Sequence, residues 1–162
     1  MAKSVVPSDG DEELAIEFLL RGVASGGPVA DIVRDLEPLH PRNNTFPGEV
    51  MLEIAADAMT EAGFSRATPV DFEGIVERHL AEHRISGNTA RQKMRYALIA
   101  AAALHGGARP DLLEDVAWYQ ADDFWVYAMY AAVILIRAAA ERTAMDARDV
   151  CTAIARQRTI AL

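Results

Sequence analysis

A chain of 162 residues, 51% hydrophobic and 25% charged, is long enough for one domain whose core folds without metal or disulfide support. The formal charge of −8 is uneven: residues 1–82 carry 6 basic and 16 acidic side chains, residues 83–162 carry 10 and 8. The first half therefore repels nucleic acid and anionic membrane at long range, and the single cysteine, Cys151, excludes an intrachain disulfide and fits a reducing, cytoplasmic setting.

Residues 1–10 have no apolar run and no cleavage-site pattern, and are expected to form a flexible lead into a single all-helical domain over 11–160. The first predicted helix covers 11–21, with Asp11, Glu12 and Glu13 at its positive end and Gly22 as its stop. Pro28 opens a second over 28–36, whose apolar side is Ile32, Val33 and Leu36. The stretch 38–47, with three prolines and two asparagines, reads as an irregular, stiff linker. Glu37 and His40 have the spacing of a helical di-metal motif, but Pro38 lies between them and there is no second copy.

A third helix over 48–62 turns Val50, Met51, Ile54, Ala58 and Met59 inward and stops at Gly63. It sets Glu49, Glu53, Asp57 and Glu61 at steps of four, a stripe expected to face solvent, although four like charges in a row also suit a basic partner. Thr68 caps a fourth helix running to Arg84, Asn88 a long fifth reaching His105, and Pro110 opens a short sixth to Tyr119. The seventh starts at Asp122 or Asp123 and follows six aromatics, Trp118, Tyr119, Phe124, Trp125, Tyr127 and Tyr130, with no charge between Asp123 and Arg137.

A helix apolar on every side must be enclosed. The apolar run 124–136 spans only about 20 Å against a hydrocarbon core of about 30 Å, so it is expected to be a buried central helix rather than a membrane span. Asp146, with Asp149 three residues on, caps the last helix, which turns Val150, Cys151 and Ile154 inward and Arg148, Arg156 and Arg158 outward. The expectation is an all-α, compact bundle of seven to eight helices, helix five packing on helix seven through Ala97 and Ala100 to Ala103.

Three constellations carry possible chemistry. His79, Leu80, Ala81, Glu82 and His83 resemble the H-x-x-E-H signature of inverted zinc peptidases, in which two histidines one turn apart bind zinc and the glutamate activates water. On that resemblance His79, Glu82 and His83 imply zinc or another divalent metal, with Glu49, Glu53 or Asp57 as a third ligand. Histidines near a helix C-terminus also serve simply as caps. The segment 80–98 resembles a helix-turn-helix, whose second helix opens with Asn88, Thr89, Arg91, Gln92, Lys93 and Arg95, side chains suited to base edges and phosphates. It departs from the pattern at Arg84, where a glycine is usual before the turn's apolar residue.

The aromatics form the third constellation. Trp118, Tyr119, Asp122, Asp123, Trp125, Tyr127 and Tyr130 crowd one helix start, as in a pocket, an interface centre or a plain core. No G-x-S-x-G or glycine-rich phosphate loop is present, and Cys151 falls on an apolar face where a thiol is inert. The leading expectation is a cytosolic binding or regulatory protein without a cofactor, homodimeric and acting through those aromatics on a protein partner or itself, with no membrane role. A DNA-binding regulator and a small metal-dependent enzyme are the alternatives.

Overall fold

Helices account for nearly all of the structure, a computed structural model that describes residues 9–24, 29–40, 45–63, 93, 96–98, 100–101, 104–105 and 124–161. The elements are α1 (Asp9–Ala24), α2 (Val29–Leu36), a 3-10 turn (Glu37–Leu39), α3 (Phe46–Glu61), α4 (Phe124–Thr143) and α5 (Ala147–Ala161). The described residues between 93 and 105 are helical too, and no strand occurs among the described residues. The predicted helices at 68–84 and 110–119 and the cap at Asn88 lie outside the described residues.

Helices α1, α3, α4 and α5 each pack against the other three. The reason lies in α4, where every residue from Ala128 to Ile136 is buried, so no face remains for water. Its partners supply Phe18 and Leu19 from α1, Met51, Leu52, Ile54 and Met59 from α3, and Cys151 and Ile154 from α5, all in one continuous core. The helical residues Ala97, Leu98, Ala100 and Ala101 join it. Each large apolar side chain so enclosed contributes about 1.5–3 kcal/mol.

Two expectations about length are corrected. Helix α4 does not stop with the apolar run but continues through Arg137 to Thr143, 20 residues in all, because alanines 138–140 propagate it. By length and composition it is therefore long enough to cross a membrane; in this fold α1, α3 and α5 cover it instead. Helix α1 likewise runs past Gly22. A Cβ there would lie 2.8 Å from Val133 Cγ2 and 2.9 Å from Met129 Cε, so the bare glycine lets α4 close on a continuing helix rather than ending it. Arg137 donates to the Gly22 carbonyl at 3.2 Å across the same contact.

The described ends of the stretch 38–47, residues 38–40 and 45–47, are also less irregular than their prolines imply. Pro38 sits in the 3-10 turn, and Pro47 takes the first turn of α3, where a missing N–H costs nothing. The other end of α3 is capped from afar: Arg142 donates to the carbonyls of Ala62 at 3.0 Å and Gly63 at 3.3 Å. Between α4 and α5, Ala144 takes a left-handed φ of 55° and the Met145 N–H bonds the Ala140 carbonyl at 3.0 Å, a Schellman ending. Asp146 then caps α5, its Oδ1 accepting from the Arg148 N–H at 2.8 Å.

Candidate functional site

The aromatic start of α4 is closed by a residue from the proline-rich stretch. His40 stacks on Trp125 with centroids 4.6 Å apart and planes 10° apart, while Phe18 meets the indole edge-on at 5.5 Å. Helix α3 comes this near because residue 48 is glycine: a Cβ would lie 2.6 Å from the Phe124 ring and 3.2 Å from the Trp125 backbone. Trp125 is thereby only 4% exposed. Nothing in helical periodicity points to His40, which lies 85 residues before its partner; only its place among prolines and aromatics marks it.

Tyr130 is buried as well, and burial, helped by neighbouring Tyr127, pushes its hydroxyl up to about 12. Tyr127 is half-buried, edge-on to Tyr130 at 6.0 Å, and receives the Lys93 ammonium 5.5 Å from its ring centroid. The stack and this cation–π contact tie α4 to its surroundings. Trp118, Tyr119, Asp122 and Asp123, expected at the same mouth, lie outside the described residues.

Of the helix-turn-helix residues, Asn88, Thr89, Arg91, Gln92 and Arg95 lie outside the described residues. Lys93 is half-buried over Tyr127. His79, Glu82 and His83 also fall outside them, and among the described residues no group of three metal-ligating side chains assembles. His105 is buried, with Nδ1 3.0 Å from the Thr60 hydroxyl, which in turn donates to the Ala56 carbonyl at 3.1 Å. The Nε2 atom of the same ring is buried without a hydrogen bond.

The acidic stripe of α3 meets its basic partner inside the chain. Arg158, expected outward, folds in and grips Glu12 with two bonds, Nη2 to Oε1 at 2.6 Å and Nε to Oε2 at 3.0 Å. It also reaches Glu53 at 3.4 Å and Asp57 at 3.5 Å, so one guanidinium serves three carboxylates from α1 and α3. Burial raises the Glu53 and Asp57 carboxyls above their ordinary range, more than Arg158 lowers them. Arg158 itself is pulled down by burial, but its bonds to Glu12 and the charges of all three acids more than offset this and raise it. Glu61, at the end of the stripe, is exposed as expected.

Outside this clamp α1 and α5 diverge into an open groove of about 620 Å³. Its floor is Ile16, Leu20 and Ala155; Glu13, Glu17 and Arg21 rise on the α1 side, Thr152 and Arg156 on the α5 side. A smaller hollow of about 170 Å³ lies where α3, α4 and α5 meet, near Thr143 and Met145. Cys151 is buried between these features and burial pushes its thiol up to about 11, so it is no nucleophile at neutral pH. Comparison with known proteins finds no matching family model, no matching curated protein and no matching solved structure.

Proposed function

We propose that the chain is a cytosolic binding or regulatory protein that works through protein–protein contacts as a homodimer, built as a single bundle of seven to eight helices. One observation carries the reading: the apolar floor of Ile16, Leu20 and Ala155 lies open between walls of charged side chains. Elsewhere the large exposed apolar residues among the described ones, Leu39, Tyr96 and Met145, are scattered singly. An open apolar strip rimmed by charge is the usual form of a protein contact surface, whereas isolated exposed residues are ordinary. The buried Trp125 serves this role from behind, by holding α4 in place.

Sedimentation velocity over a range of concentrations tests the reading, with a reversible dimer expected. A strict monomer at every concentration refutes it. Native mass spectrometry on the same samples reports any bound divalent metal, and gel retardation with duplex DNA at low salt tests Asn88 to Arg95 as a DNA-contacting helix.

A further inference from the structure

We propose that the α1–α5 groove is where the second copy docks, each molecule laying the same face on the other so that Glu13 of one pairs with Arg156 of its partner. The inference rests on the homodimer reading and adds its surface and register. Glu13 and Arg156 are both exposed, line opposite walls of the groove, and make no ion pair in the fold, whereas Glu17 is already engaged by Arg21 at 2.9 Å. They stand level with each other. Glu13 follows Glu12 by one residue and Arg156 precedes Arg158 by two; with α1 and α5 running in opposite directions, both steps lead the same way along the groove from the Glu12–Arg158 contact.

A two-fold axis parallel to the groove sets the α1 of each molecule over the α5 of the other at that height. The acid on one wall then meets the base on the opposite wall, twice per dimer, and the apolar floors of the two grooves are enclosed between them. A uniformly acidic or basic partner helix meets a like charge on one wall, whereas the same face turned by the two-fold sets Glu13 and Arg156 against their opposites. The clamp of Arg158 on Glu12 holds the walls at fixed spacing, so the surface is formed before the partner arrives.

Sedimentation velocity on the wild type, Glu13→Arg, Arg156→Glu, the double variant, and an equimolar mixture of the two single variants decides the matter. Each single swap sets like charges together at both pairs and is expected to weaken dimerisation about tenfold or more. The double variant and the mixture restore opposite charges at both pairs and are expected to recover the dimer, the mixture as a heterodimer. Because both side chains are exposed, unchanged helical circular dichroism accompanies the loss, and melting falls only by the stabilisation that association had added. A wild type that is monomeric throughout overturns the homodimer reading itself. A dimer that persists in both single variants, or a mixture that stays monomeric, overturns only the groove and its register.

Discussion

Replacing Arg158 with methionine keeps the apolar stem against α1 and α3 and removes the cation that Glu12, Glu53 and Asp57 share. The Arg158 and Glu12 side chains are 20% and 13% exposed, so their doubly bonded pair is neither a surface contact nor a fully enclosed one. Two charge-assisted bonds and three acids left without their cation, one of them half-exposed, put the loss at about 3 kcal/mol once discounted for partial access. For a chain of this size that is a fall in Tm of about 6–12 °C. Glu53→Gln has the opposite expectation: burial holds that carboxyl above its ordinary range despite Arg158, so removing its charge is neutral or stabilising.

The pH dependence follows from the same direction of shift. Glu53 and Asp57 are raised in the fold, so their ionisation opposes folding by an amount that grows as pH rises through their unfolded values and is complete above their folded ones, and acidification removes it. Without Arg158 both rise further, and the deficit of the variant is therefore largest near neutrality and shrinks as pH falls toward about 4–5. Urea unfolding of Arg158→Met at several pH values measures it. A deficit below about 1 kcal/mol, or one that does not change with pH, refutes the shared-cation account.

Further expectations concern the backbone and the thiol. Ala144→Gly removes the strain of a left-handed alanine and is expected to raise stability by about 1 kcal/mol in thermal melts, a clear loss counting against the Schellman geometry. Gly48→Ala drives a methyl into the Phe124 ring and is expected to cost about 1–3 kcal/mol, with red-shifted tryptophan fluorescence as α4 backs away from α3 and the His40 stack opens. Cys151 is expected to resist a thiol reagent at neutral pH until the chain is unfolded; rapid labelling of the native protein contradicts its burial.

The local features of this fold are legible in the residues that make them. Val50, Met51, Ile54, Ala58 and Met59 announce the inner face of α3 by their spacing, and Asp146 announces the start of α5 by its chemistry. What escapes is every decision made by a distant partner. Gly22 reads as a helix stop until Val133 and Met129 are seen to need its missing side chain. Arg158 reads as a surface residue because its three acids are 101 to 146 positions away, and no local period encodes that match. His40 reads as linker for the same reason. The groove was illegible too, since it belongs to two helices from opposite ends of the described chain.

The clamp also sets a condition on how the chain is made. Glu12 lies 146 positions ahead of Arg158, the guanidinium that grips it among the described residues. At ordinary elongation rates that interval is roughly 7–30 s, during which Glu12 is without that partner. The clamp is thus a contact of high sequence separation, one that closes only after Arg158 has been made.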